Sequence, residues 1–110
     1  MKILVTGFEP FGGMSINPTE VAIREIAAKK VEGAEIVTAI LPVHYDECVE
    51  RILQEIEKHS PDAVISCGLY AGRTAITPER IGINVKDTMA EEPIGDNRGY
   101  KPIDQRIQPE

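Results

Sequence analysis

Cysteine is scarce in this sequence: Cys48 and Cys67 are the only two, with no CxxC spacing and no histidine pair nearby. That excludes a disulfide framework and a zinc site, makes a reducing cytoplasm the expected setting, and calls for no metal or other cofactor. Long apolar runs are absent as well. None exceeds four residues, against about 20 for a helix that crosses a bilayer, so no membrane partner is expected. The start, Met1 to Gly7, is too short in its apolar part for a signal peptide and lacks a small-residue cleavage site. Positive charge is in deficit: 12 Lys plus Arg stand against 18 Asp plus Glu, a net charge of −6. Nucleic acid, which is bound through clustered positive charge, is excluded as the main partner. No internal repeat is visible.

What remains is the composition of a soluble globular protein, 42% apolar and 27% charged over 110 residues. That length makes one domain, able to bury roughly 65% of its unfolded surface. Ile3 to Val5 is a short β-branched run ended by Gly7 and reads as a buried strand. A punctuated loop runs to Ile16, and Asn17-Pro18-Thr19-Glu20 then carries helix-start signals: Asn17 as N-cap, Pro18 at the first helical position. The helix is expected to bury Val21, Ala22, Ile26 and Ala27 and to stop near Gly33. Glu35 to Leu41 reads as a second strand, closed by Pro42. From Tyr45 to His59, Cys48, Val49, Ile52, Leu53 and Ile56 recur at helical spacing. Glu47, Arg51, Gln54, Glu55 and Lys58 take the other side, with Glu47 and Arg51 four apart. Ala63 to Cys67 is a third strand.

The order β-α-β-α-β predicts an α/β fold: a three-layer α/β/α sandwich with a mainly parallel sheet and right-handed crossovers. Ile81, Ile83 and Val85 alternate with Gly82 and Asn84, which suggests a further half-exposed strand. Past Asp87 the apolar residues thin out, and Pro93, Pro102 and Pro109 interrupt any regular element. The last third offers little cover for a parallel sheet, so the 110 residues read as an incomplete domain.

Ligands of doubly wound sheets bind beyond the carboxyl ends of the strands, which selects three loops: Gly7–Asn17, Pro42–Tyr45 and Gly68–Glu79. The first has glycines between a strand and a helix but neither GxGxxG nor a Walker lysine, so it is not a phosphate loop. Its distinctive content is Phe8 and Phe11, the only phenylalanines in the chain, around Glu9-Pro10. They either plug the core beneath the loop or line an apolar slot for a flat, uncharged ligand. Glu79 is either an acidic residue on a solvated turn, paired with Arg80, or a functional carboxylate. His44 and His59 have plain readings beside and at the end of a helix, and both cysteines read as small core residues.

These motifs together resemble a known family. Val5-Thr6-Gly7-Phe8-Glu9-Pro10-Phe11-Gly12-Gly13 followed by Asn17-Pro18-Thr19 is similar to the opening signature of pyroglutamyl-peptidase I, also called pyrrolidone-carboxylate peptidase. Leu41-Pro42-Val43, Gly68 to Arg73, Ile76 to Asn84 and Asp96 to Pro102 resemble further blocks in the same order, covering essentially the whole chain. The resemblance implies a cytosolic α/β/α cysteine peptidase, often tetrameric, that removes an N-terminal pyroglutamyl residue. It implies that Phe8 and Phe11 hold the lactam ring, that Val43 walls the slot, and that the Leu69 backbone hydrogen-bonds the lactam. Asn17 joins this substrate-binding set. Glu79 would be the third member of a Cys-His-Glu triad.

The resemblance also has gaps. Neither cysteine matches the family's nucleophile motif, and neither histidine matches its catalytic histidine. Both of those lie in the second half of a chain about twice as long. Residues 1–110 are therefore expected to be the N-terminal portion of a single domain, inactive alone, whose partner is a second copy or a complementing C-terminal half. The family's oxyanion arginine is replaced by Met89, with four residues inserted between Ala90 and Gly95. A non-catalytic binding protein that keeps the ring slot is the alternative function.

Overall fold

Three short aliphatic runs separated by two amphipathic stretches fold as that alternation dictates. The computed structural model describes residues 1–82. The elements are β1 (Lys2–Phe8), α1 (Pro18–Ala27), β2 (Glu35–Leu41), α2 (Tyr45–His59) and β3 (Ala63–Ser66). The strands form one parallel sheet in the order β2-β1-β3. Lys2 pairs with Glu35 at one end of β1 and Phe8 with Leu41 at the other, while Ile3 to Thr6 pair with Ala63 to Ser66.

Register decides which side chains share a face. Leu4, Thr6, Phe8, Val37, Ala39 and Leu41 look one way, and α2 covers them: Cys48, Ile52 and Ile56 pack on the core of Leu4, Ala39 and Leu41. The other face carries Val5 and Gly7, and α1 lies there with Ile23 only 3% exposed. The expected α/β/α layering is therefore present. β2 and β3 flank β1 on opposite sides, so two crossovers of the same hand put their helices on opposite faces. Both helices pack on β1 and β2, whereas no helix of the described residues packs on β3, whose four residues are all exposed.

Several local expectations need correction. α1 stops at Ala27 rather than near Gly33, and Gly33, with φ of 78°, sits instead in the turn that bridges Val31 and Ala34. Its buried residues are Thr19 and Ile23, while Val21, Ala22 and Ala27 are exposed. The cause is Gly7: lacking a side chain, it admits α1 at Thr19 and Ile23 and rotates the expected stripe outward. On α2, Val49 and Leu53 are exposed, 51% and 58%, because α2 leans over β2 and away from β3. Glu55 is nearly buried, and Arg51 pairs with it through Nε–Oε1 at 3.1 Å rather than with Glu47. The α2 end is as expected: Ser60, with φ of 46°, caps it. Ile81 and Gly82 belong to no strand. The rest of that proposed strand, Met89, the Ala90–Gly95 insertion, the block from Asp96 to Pro102 and Pro109 lie outside the described residues.

Candidate functional site

Because the strands are parallel, their carboxyl ends share one edge, and loops 9–17, 42–44 and 67–82 begin there. The first loop is tied at both ends. A Cβ on Gly7 would lie 2.8 Å from both the Ile23 Cγ1 and the Thr19 carbonyl oxygen, so the start of α1 sits directly against β1. Thr19 Oγ1 accepts a hydrogen bond from Phe8 N–H at 2.9 Å and donates to Asn17 Oδ1 at 2.8 Å. The same Oδ1 accepts from Thr19 N–H at 2.9 Å, and Asn17 Nδ2 donates to the Glu9 carbonyl at 3.0 Å. Asn17 is completely buried. Asn17-Pro18-Thr19 is thus an N-cap and, in the same few atoms, the clasp of the loop.

Between the tied ends the chain reverses at Phe11-Gly12-Gly13-Met14, where Met14 N–H donates to the Phe11 carbonyl at 3.1 Å. Gly12 and Gly13 have φ of 61° and 77°, the left-handed values that a type I′ turn requires at both central positions. Phe8 is half-buried and packs on the Leu4–Ala39–Leu41 core, and Phe11 is half-buried on the loop. Of the two readings of the phenylalanines, the core-plugging one describes the Phe8 side chain, which packs on that core at the last residue of β1. Glu9 N–H donates to the Leu41 carbonyl at 3.1 Å and prolongs the β1–β2 ladder by one bond, which brings the Val43 loop alongside.

His44 caps α2, its Nδ1 accepting from Glu47 N–H at 3.1 Å. On the opposite flank, Cys67 N–H donates to the Thr6 carbonyl at 2.9 Å and leads into the third loop, where Leu69 is half-buried. Tyr70 to Arg73 form a turn closed by Arg73 N–H on the Tyr70 carbonyl at 3.3 Å, with Gly72 at φ of 90°. The Arg73 guanidinium lies 4.6 Å from the centre of the Tyr70 ring. Its Nη1 donates to Thr77 Oγ1 at 2.7 Å and to Glu79 Oε1 at 3.1 Å. Glu79 is therefore paired, as one reading expected, but with Arg73 rather than its neighbour Arg80.

Phe8 at the end of β1, Phe11, Val43 and Leu69 thus lie at one edge of the sheet, with Asn17 at the end of the first loop and Glu79 on the third. Sequence reasoning missed Gly7, Thr19 and Arg73. The first two act through contacts across the first loop, of Gly7 with Thr19 and Ile23 and of Thr19 with Phe8, which no periodicity reports. Two shallow hollows lie elsewhere, one lined by Lys29, Lys30 and Ile36, the other by Ile23, Arg24 and Arg51.

The described residues offer little reactive chemistry of their own. Both cysteines are free. Burial pushes the Cys48 thiol up, and its Sγ donates to the Tyr45 carbonyl at 3.4 Å on the core side of α2, which disfavours the thiolate a nucleophile needs. His59 Nε2 is 3.1 Å from Glu55 Oε2, at the opposite end of α2 from the loop at residues 42–44. Among the described residues no group of three His, Cys, Asp or Glu could hold a metal, and no helix is long and apolar enough to cross a membrane.

Known proteins are similar to this chain in sequence and in fold. Residues 1–110 fit the family model described as pyroglutamyl peptidase. The chain is 46% identical over 106 residues to the pyrrolidone-carboxylate peptidase of Vibrio campbellii, covering 96% of this chain and 48% of that protein. It is 44% identical over 109 residues to that of Levilactobacillus brevis, covering 99% and 51%. Among solved structures, a mutant pyrrolidone carboxyl peptidase of Pyrococcus furiosus superposes with a TM-score of 0.80 at 41% identity, covering 94% of this chain and 50% of that one. Pyroglutamyl peptidase I of Bacillus amyloliquefaciens gives 0.79 at 34% identity, covering 93% and 50%. The chain spans about half the length of the curated relatives it matches.

Proposed function

Because the chain belongs to the pyroglutamyl peptidase family, we propose that it supplies the lactam-binding slot and the triad carboxylate of a cysteine peptidase that removes N-terminal pyroglutamyl residues from peptides. The observation that carries this reading is the clasped first loop: Thr19 and Asn17 hold the backbone of Phe8 and Glu9 at the carboxyl edge of the sheet, which supports a slot built from Phe8 and Phe11 there.

Pyroglutamate has no free amine, so its recognition needs ring-shaped apolar contact and matched amide hydrogen bonds rather than an anionic anchor. Phe8 and Phe11 face the lactam, Val43 walls it, and the Leu69 backbone bonds its amide. Asn17 serves the slot by holding the loop.

Glu79 accepts from the imidazole N–H of a histidine, fixing its tautomer and stabilising the imidazolium. That histidine takes the proton of a cysteine thiol. The thiolate attacks the pyroglutamyl carbonyl, the C–N bond breaks, and the imidazolium protonates the departing amine. Water then hydrolyses the thioester, releasing pyroglutamate and restoring the thiol. The half-buried Cys48, whose thiol is pushed up by burial, His44, which caps α2, and His59, paired with Glu55 in α2, do not suit these tasks. The cysteine and histidine come from polypeptide beyond residues 1–110, and a complementing half or a homo-oligomer is the partner.

A second reading, a non-catalytic binder of pyroglutamyl groups, is favoured by the Arg73 partner that Glu79 already has. The test is release of a fluorophore from a pyroglutamyl amide, by residues 1–110 alone and joined to the remaining half of the Vibrio campbellii relative. No turnover alone and thiol-alkylation-sensitive turnover in the joined chain are expected. A joined chain that binds the amide without cleaving it would leave the binder reading in place of the peptidase.

A further inference from the structure

We infer that Arg73 is the positioning residue of Glu79, holding one carboxylate oxygen so that the other faces the triad histidine; this rests on the peptidase reading above. A Glu side chain on an outer loop has three rotatable bonds, and that of Glu79 is 74% exposed. Packing does not fix it. A carboxylate that orients an imidazole must nonetheless present an oxygen at one place and angle.

The only described contact of the Glu79 carboxylate is Arg73 Nη1, at 3.1 Å from Oε1, which leaves Oε2 to accept the imidazole N–H. Arg73 is itself held on three sides. The Tyr70 ring lies 4.6 Å from its Cζ, Thr77 Oγ1 takes a 2.7 Å bond from the same Nη1, and the Tyr70–Arg73 turn fixes its backbone. A planar guanidinium can stack on a ring while its edge donates to two oxygens, and an ammonium cannot do both. An exposed ion pair contributes little to stability, so an arrangement this constrained acts on orientation.

Arg73→Met keeps the aliphatic stem and removes every donor. In the joined enzyme, steady-state kinetics on a pyroglutamyl amide should show kcat about tenfold lower with KM within about twofold, since the Arg73 side chain contacts Tyr70, Thr77 and Glu79, while Phe8, Phe11 and Val43 belong to other segments and Leu69 takes part through its backbone alone. Arg73→Lys restores charge without the fork and should recover kcat in part, to within about threefold of the parent. In a Glu79→Gln background, Arg73→Met should have no further effect, because there is no carboxylate left to position.

Wild-type kcat in Arg73→Met, or an equal loss with and without the Glu79 carboxylate, would overturn the inference and leave the triad reading standing. Wild-type kcat in Glu79→Gln alone would instead overturn the triad reading, and Arg73's role with it. Should Arg73→Met fail to fold, Arg73→Lys decides: a lowered kcat at unchanged KM supports the inference, and an unchanged kcat overturns it.

Discussion

Replacing Thr19 by Val tests the clasp with almost no change of shape. The hydroxyl makes two bonds, accepting from Phe8 N–H at 2.9 Å in a part-buried position and donating to Asn17 Oδ1 at 2.8 Å in a buried one. Each such bond contributes a net of about 1 kcal/mol, and an amide left buried without a partner adds about 1–3 kcal/mol. Asn17 Oδ1 keeps its bond from Thr19 N–H, so the unsatisfied group is the Phe8 amide alone. The expected loss is about 3 kcal/mol. For a chain of this size a urea m-value of about 1.5 kcal/mol/M converts that loss to a midpoint about 2 M lower. Far-UV circular dichroism against urea measures it. The double variant with Asn17→Ala should lose less than the sum of the two single losses, because both residues belong to one network. A midpoint shift below about 0.3 M for Thr19→Val would refute the claim that this hydroxyl holds the loop to the sheet.

Leu4→Ala, at a fully buried position in the central strand, should cost about 2–5 kcal/mol by the same titration. In the joined enzyme, Glu79→Gln should lower kcat by about 10²-fold or more with little change in KM. Phe8→Ala should instead lower kcat/KM through lost ring contacts of about 1–3 kcal/mol. For Cys48, burial raises the folded pKa above the ordinary 9.0, so its stabilising contribution is complete below 9.0 and is lost as pH rises through the folded value. Urea midpoints of wild type should therefore fall on going above pH 9.0, and Cys48→Ala should fall less. An equal fall in both would assign the effect to other groups.

The sheet and the ends of α2 were legible in the sequence because their signals are local. Glu35–Leu41 is a mostly aliphatic segment bounded by Gly33 and Pro42, and Tyr45–His59 has a sustained helical period. The rotation of α1 was not legible, since Ile23 is buried by a glycine sixteen positions earlier whose missing side chain sets the approach. Asn17 was readable as a cap, yet its bond to the Glu9 carbonyl depends on where a loop returns, and no spacing rule encodes that. Glu79 shows the same limit. Its neighbour Arg80 was the local expectation, and the turn at Gly72 brought Arg73 to it instead.

β1 lies between two strands of very different sequence distance, and that orders the assembly of the molecule in time. The β1–β2 pair closes as soon as one helix separates the strands, whereas the contact of Lys2 with Asp62 that starts the β3 seam joins residues 60 apart. The entropy of closing the longer loop makes this seam the later one to form, by roughly 0.6 kcal/mol for a doubling of length. During synthesis β1, α1 and β2 can zip before β3 has left the ribosome. In the finished protein the same asymmetry runs in reverse: amide protons of the β1–β2 ladder should be the slowest to exchange, and those at the β3 seam should exchange by a smaller opening. The loop that bears Glu79 hangs from that seam, so its carboxylate is expected at its place only after the β1–β2 pair has closed, and opening of the β3 seam releases it.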